Sequence, residues 1–227
     1  MKKLSIIIPV LNEAENIHSV LNALQKNDFV ETIVVDGGSN DNTYEVAKNL
    51  ADKAFLSPQK GRAIQMNLGA NNASGDVLLF LHADTRLPKN FFKQIEQVML
   101  SDKNIWGRFD VALTGEAVIF KFIAFMMNCR SKFTGIATGD QAIFVRKKHF
   151  DSIGGFENIP LMEDVAFSKS MKKLSKPVCI KARATTSSRR WEENGIFKTI
   201  VLMWKLRLAY FLGANPETLV KKYYQNA

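Results

Sequence analysis

Gly75-Asp76-Val77-Leu78-Leu79-Phe80-Leu81-His82-Ala83-Asp84-Thr85 joins five consecutive apolar residues, 77–81, to an abrupt polar end. An uninterrupted apolar run of strand length suits a strand covered on both faces, as in the middle of a parallel sheet. In open α/β sheets ligands bind beyond the carboxyl ends of the strands, which is where Asp84 falls. A carboxylate there suits a divalent cation bridging phosphate oxygens, because hard cations take oxygen ligands. Asp84-Thr85 equally suits a plain turn before Pro88. The chain on either side decides between the two.

Upstream, Leu4–Val10 reads as a β-branched strand that Pro9 can close. Its lead-in, Met1-Lys2-Lys3, superficially resembles a signal peptide. The apolar part is short, contains Pro9 and runs into Asn12-Glu13-Ala14-Glu15-Asn16 with no cleavage-like site, so it reads as a strand and not an address. Ile17, Val20, Leu21 and Leu24 follow at helical spacing. Residues 32–35 form a second strand, ending in Asp36-Gly37-Gly38-Ser39-Asn40-Asp41-Asn42-Thr43, where Asp41 or Asn42 can cap a helix through Leu50. Residues 54–56 give a third strand and residues 61–72 a helix. Residues 77–81 are the fourth strand, and Phe92, Ile95 and Met99 mark a helix after Pro88. This rhythm predicts a doubly wound, parallel α/β sheet with its strand-end loops on one rim. Beyond residue 104 the expected elements are strands at 105–113, 142–145 and 177–180. Helices are expected at 117–129, at Glu163–Leu174 with Phe167, Met171 and Leu174 inward, at 196–212, and in a short stretch after Pro216.

A chain of 227 residues suits one α/β domain, and it shows no linker, repeat or low-complexity tract. Cys129 and Cys179 have neither metal-ligand spacing nor a disulfide pattern, which points to a reducing compartment. The net charge of +9 is unevenly placed. Residues 1–167 carry 18 Lys/Arg against 19 Asp/Glu, and residues 168–227 carry 13 against 3. The basic end suits phosphate groups, anionic lipid or nucleic acid, or simply a solvated face.

Several motifs then carry a resemblance. Ser5-Ile6-Ile7-Ile8-Pro9-Val10-Leu11-Asn12-Glu13, Val34-Val35-Asp36-Gly37-Gly38-Ser39-Asn40-Asp41-Asn42-Thr43, Gly61-Arg62 with Asn67 and Gly69-Ala70, His82-Ala83-Asp84, Gly154-Gly155-Phe156 and Met162-Glu163-Asp164 are together similar to family 2 glycosyltransferases, over roughly residues 4–175. The wording Gly-Arg-Ala-x-Gln-Met-Asn, Phe-Leu-His-Ala-Asp-Thr, Gly-Asp-Gln-Ala-Ile-Phe and Pro-Leu-Met-Glu-Asp resembles a small bacterial subgroup. The resemblance implies the GT-A, or nucleotide-diphospho-sugar transferase, fold with a central mainly parallel sheet flanked by helices. It implies one domain, with a nucleotide-sugar-binding half at 1–104, an acceptor and catalytic half at 105–190, and basic, apolar C-terminal helices at 191–227.

The implied donor is a nucleotide-diphosphate sugar held by Pro9, Leu11, Glu13, Asp36, Ser39, Arg62, His82, Ala83 and Asp84. Asp36 offers two acceptors to ribose hydroxyls or base N–H groups. Arg62, at a helix start, suits a phosphate. Asp84 is the implied ligand of a divalent cation, Mg or Mn. His82 stands where the family's Asp-x-Asp signature has its first Asp, Gly37 where many relatives have a second acid, and Ser187 where processive relatives have the Gln of Gln-x-x-Arg-Trp. An acceptor hydroxyl must lose its proton as it attacks the anomeric carbon. The resemblance puts that base at Asp164, assisted by Glu163, in a single displacement that inverts the anomeric centre. Two acids at a helix N-terminus also simply suit the macrodipole. Arg108 and Asp140 are candidates for the acceptor side, and Arg189, Arg190 and Trp191 for the pyrophosphate side; turn or core packing fits Arg108 and Asp140 as well. His18 and His149 read as helix-surface residues.

The segments at 117–129 and 196–212 lack 18 uncharged apolar residues, so neither is expected to span a bilayer. Packing in the core, in a homodimer interface or on a membrane surface all suit them. The overall expectation is a metal-dependent inverting glycosyltransferase, cytoplasmic or at the inner face of the cell membrane, with an unidentified acceptor that includes lipid-linked ones. A sugar nucleotidyltransferase is the enzymatic alternative, although Pro9-Val10-Leu11-Asn12-Glu13 lacks the Gly-rich, Arg-containing loop such enzymes carry. A basic nucleic-acid-binding module is the alternative from another class, and no helix-turn-helix or aromatic RNA-binding motif supports it.

Overall fold

The computed structural model describes residues 3–24 and 27–225. Met1 and Lys2, which open the signal-like lead-in, and the last two residues of the basic tail lie outside the described residues. The chain begins β1 (Leu4–Val10), α1 (Ala14–Ala23), β2 (Val30–Asp36), α2 (Thr43–Leu50), β3 (Lys53–Leu56), α3 (Arg62–Asn71) and β4 (Val77–Phe80). It continues through a short strand β5 (Thr85–Arg86), α4 (Phe91–Met99), β6 (Trp106–Leu113), α5 (Val118–Thr134), a 3-10 turn (Gly139–Gln141), β7 (Phe144–Arg146) and α6 (Lys147–Ser152). The remainder is α7 (Glu163–Leu174), β8 (Val178–Thr186), α8 (Arg189–Asn194), α9 (Ile196–Phe211) and α10 (Pro216–Gln225).

The strands form one sheet in the order β3-β2-β1-β4-β7-β6-β8-β5. β3, β2, β1 and β4 run parallel, as do β6 and β8, while β7 and β5 run against their neighbours. Side chains alternate between two cores, as a period of two requires. Ile6, Ile8, Val34, Val77 and Leu79 face a core shared with α1 and α4. Ile7, Ile33, Val35, Leu78 and Phe80 face a second core with Met66, Phe156 and Phe167. Ile6, Ile7 and Ile8 are fully buried, and burying each stabilises the fold by about 1.5–3 kcal/mol. Gly69 lets α3 lie close on the sheet: a Cβ there would sit 2.5 Å from Ile7 Cγ2.

The first half follows the sequence expectation closely, with β2 longer at both ends than 32–35. Later differences have local causes. Leu174, expected inward, is half exposed in the last turn of α7, beyond the reach of the core that takes Phe167 and Met171. The helix expected at 117–129 runs on to Thr134 and stops at Gly135, whose left-handed φ of 68° suits glycine. The strand expected at 177–180 extends to Thr186 because it pairs along the whole of β6. β5, α6, α8 and the 3-10 turn are too short to leave a periodic signature.

Candidate active site

β1, β2 and β4 end on one rim, and their loops carry the expected residues. Asp36 closes β2 and is fully buried. Its Oδ1 accepts the N–H groups of Gly38 and Ser39, both at 2.7 Å, while its buried Oδ2 has no partner. A desolvated carboxylate oxygen with nothing to accept is costly, and it fits a ligand that brings its own donor. The adjoining loop is cross-tied: Asn12 N donates to Ser39 Oγ (2.8 Å), Asn40 N to Asn12 Oδ1 (2.8 Å), and Glu13 N to Thr43 Oγ1 (2.8 Å). Leu11 is exposed and Pro9 partly so, and both border this loop. Glu13 Oε2 accepts from Asn16 within its own helix. Gln65, to which sequence reasoning gave no role, clamps the strand ends by donating Nε2 to Val10 O and Val35 O, each at 2.8 Å.

Asp84 follows β4 and stays partly exposed, its Oδ1 accepting from Thr85 Oγ1 (3.2 Å) and Thr186 Oγ1 (3.3 Å). Ala83 is buried behind it. His82 turns the other way: its Nδ1 meets Asp140 Oδ1 at 3.3 Å, and its ring fills the space of a Gly139 Cβ, 2.2 Å from Nε2. His82 therefore braces the 3-10 turn from beneath. That turn donates Gly139 N–H to Asp164 Oδ2 at 3.0 Å, and Val165 N–H reaches Asp164 Oδ1 at 2.7 Å.

Asp164 and Glu163 open α7. Loss of solvent and the neighbouring Glu163 charge push the Asp164 carboxyl up to about 6, against the Gly139 and Val165 hydrogen bonds and the charge of Arg62. Glu163 is buried and pairs with Arg62 Nη1 at 3.3 Å, linking the start of α3 to that of α7. Asp140 is held below the usual carboxylate range: burial would raise it, and His82, Arg62 and Arg130 outweigh that. A water-sized hollow of about 10 Å³ lies where His82, Gly139, Glu163 and Asp164 meet the core side chains Met66, Phe80, Ile143 and Phe156. Among the described residues three non-glycine ones have left-handed backbones, Asn12 (φ 54°), Ala142 (φ 46°) and Met162 (φ 70°), and all adjoin these loops. Backbone strain of about 1–3 kcal/mol per residue concentrates at such sites.

Other expected residues are placed elsewhere. Arg108 is fully buried in β6, with Nε on Ser131 Oγ (3.1 Å), Nη2 on Asn128 O (3.1 Å) and Nη1 on Asp110, so it ties α5 to the sheet and lines no open face. Arg189 is exposed and Trp191 half-buried. Arg190 stacks 3.7 Å over the Tyr223 ring, and burial pushes the Tyr223 hydroxyl up against the charges of Arg190 and Arg62. α10 thus leans over the Arg62 side of the rim. His18 is exposed, as expected, whereas His149 is half-buried with Nδ1 unpartnered. Sequence reasoning missed Arg130, whose buried Nε and Nη2 lack partners and whose charge faces Asp164 and Asp140. The available signal was weak, one of three cations, with Lys121 and Lys132, on an otherwise apolar helix.

Among the described residues no three His, Cys, Asp or Glu side chains converge as a metal cage. Asp84 presents a partly exposed carboxylate beyond the end of β4, held by the Thr85 and Thr186 hydroxyls. That donor set fits Mg²⁺ or Mn²⁺, which commonly take one or two carboxylates and complete their shell with phosphate oxygens and water.

Residues 5–154 match the description of Glycosyl transferase family 2. The chain is 23% identical to the "Probable glycosyltransferase YdaM" of Bacillus subtilis, over 97% of this chain and 57% of that protein. It spans 30–62% of the length of the first curated relatives it matches. Among solved structures, TarS of S. aureus in complex with UDP-GlcNAc superposes with a TM-score of 0.65 at 19% identity, covering 82% of this chain and 58% of that one. The mannosyltransferase PcManGT of Pyrobaculum calidifontis, in complex with GDP-Man and Mn²⁺, gives 0.61 at 18%, covering 81% and 56%. These likenesses fix the GT-A fold.

Proposed function

The chain belongs to glycosyl transferase family 2, and from that premise we propose that it transfers a sugar from a nucleotide-diphosphate donor to an acceptor hydroxyl with inversion. The observation that carries this reading is Asp164, a carboxylate that burial and the neighbouring Glu163 push up to about 6, on the wall of a water-sized hollow shared with His82, Gly139 and Glu163. Such a group is ionised at neutral pH yet basic enough to take a proton. In this reading residues 1–104 hold the donor and 105–190 supply the base and acceptor side. Asp36 Oδ2 receives a donor group from the base or ribose, the tied loop of Leu11, Glu13 and Ser39 shapes the nucleotide pocket, and Arg62 faces the diphosphate. Glu163 holds Arg62 and keeps its charge beside Asp164. Asp84 is the residue that would hold a divalent cation, whose positive charge there would stabilise the leaving diphosphate. The 3-10 turn, braced by His82, aims Asp164 through the Gly139 N–H. Asp164 accepts the proton of the acceptor hydroxyl as that oxygen bonds to the anomeric carbon and the bond to the diphosphate breaks.

TarS binding UDP-GlcNAc and PcManGT binding GDP-Man with Mn²⁺ support this donor class and this cation. A thermal-shift screen of nucleotide sugars, with and without Mn²⁺, tests the reading. Stabilisation by one nucleotide sugar that grows with Mn²⁺ is expected, and Asp84→Ala should remove the Mn²⁺-dependent part. Identical curves for both proteins would refute the metal role, and release of pyrophosphate in place of nucleoside diphosphate would make the chain a nucleotidyltransferase.

A further inference from the structure

α9 presents Phe197, Val201, Trp204, Leu208, Phe211 and Leu212 to solvent, each between 50% and 76% exposed. At about 100° per residue these six fall within an arc of about 100°. The opposite side, with Leu206 buried, packs on Met162 and Leu219. Lys198 and Lys205 border one edge of the stripe and Arg207 the other, and the helix contains no acid. α5 carries a similar stripe: Val118, Phe122, Phe125, Met126 and Phe133 are 44–85% exposed, Lys121 and Lys132 lie along one edge, and again there is no acid. The loop that leads into α5 touches the start of α8, which leads into α9. Thr114 Oγ1 meets Ser188 Oγ at 3.0 Å, and Glu192 Oε1 lies 2.9 Å from the Cβ position of Gly115.

Eleven large apolar side chains in two ordered rows exceed the scattered exposure that needs no explanation. No helix of the described residues is long and apolar enough to cross a membrane. An apolar stripe edged by cations on both sides is the pattern of a helix lying in the lipid interface, its cations reaching the headgroups. A second copy of the chain fits less well, because a two-fold contact through this face would bring like-charged edges together. The excess of 13 Lys/Arg over 3 Asp/Glu in residues 168–227 adds attraction to anionic lipid.

We infer that the outward faces of α9 and α5 form a docking surface for an anionic lipid bilayer. The inner side of α9 packs on Leu161, Met162 and Val165, which flank Glu163 and Asp164, so docking sets the rim beside the headgroups. The inference is independent of the transfer reaction.

Flotation with phosphatidylcholine vesicles, with and without phosphatidylglycerol, tests it. The protein should float with the phosphatidylglycerol-containing vesicles, more weakly at high salt. Its Trp emission should shift to the blue, and Trp204→Phe should abolish that shift. Replacing Phe197, Trp204 and Phe211 together by Ser should weaken partition on the order of a hundredfold or more, with an unchanged melting temperature because these side chains face solvent. Lys198→Glu with Lys205→Glu should weaken it at least about tenfold. Failure to float with anionic vesicles, or equal flotation of the Ser variant, would overturn the inference. So would a concentration-dependent dimer that the Ser variant dissociates, which would assign the face to a second copy.

Discussion

β2 carries a buried carboxylate near each end, and the two are treated oppositely. Glu31, near the start, is saturated: it accepts from Ser5 Oγ (2.6 Å) and Ser74 N (2.9 Å) and pairs with Lys53 (2.8 Å) and Lys3 (3.8 Å). Burial alone would raise its pKa, yet these partners bring it down to about 2. Asp36, at the far end, is equally buried, and one oxygen is left without a partner. Across the rim Asp164 is pushed the other way, to about 6. The carboxylate at one end is satisfied by the chain itself, although a hollow of about 390 Å³ lined by Lys3, Glu31, Thr32 and Asp52 lies beside it. The other is left incomplete, as a surface that must still bind something has to be.

The largest expected effect is at Asp164. Asp164→Asn should lower turnover by about 10²–10⁴-fold, as loss of a general base does, while a calorimetric titration with nucleotide shows unchanged affinity. Retained turnover would remove it as the base. The wild-type rate should fall as pH drops through about 6, because the proton bound there occupies the accepting oxygen, and a profile flat to pH 5 would break the contrast with Glu31.

Asp36→Ala and Glu31→Gln set the two ends of β2 against each other. The first should weaken nucleotide binding by about ten- to a hundredfold, for the loss of one or two hydrogen bonds to a charged group. The second should leave binding untouched and cost about 1–3 kcal/mol of stability in urea unfolding. The folded-state pKa of Glu31 lies below its ordinary 4.5. Its contribution is therefore complete above about 4.5 and fades as pH falls toward 2. Unfolding midpoints across that window should drop for the wild type and stay flatter for Glu31→Gln.

Gly139→Ala should give a smaller effect, about 1–3 kcal/mol, since the new methyl group meets the His82 ring at 2.2 Å. The double variant with His82→Ala should recover part of the lost melting temperature, showing that the two positions share one space.

Much of this was readable in the chain. The four parallel strands announced themselves through apolar runs closed by polar turns, and Asp36, Asp84 and Asp164 stood out as acids at the ends of such elements. The short elements β5, α6 and α8 were hidden because two to six residues hold less than two periods of any pattern. Leu174 was misplaced because helical spacing continues past the point where the core ends. Arg108 stood open between the acceptor side and core packing, and contacts with Ser131, Asn128 and Asp110, two of them distant in sequence, decide for packing.

By itself the sequence determined the parallel half-sheet, the strand ends that carry Asp36 and Asp84, and the family, because those follow from local periodicity and contiguous motifs. Only the tertiary structure decided that His82 braces Asp140 and Gly139, that Arg130 faces Asp164, and that the apolar stripes of α5 and α9 point outward. Each of those depends on residues far apart in the chain meeting in space. A helical pattern shows that a face is apolar, and only packing decides whether something already covers it.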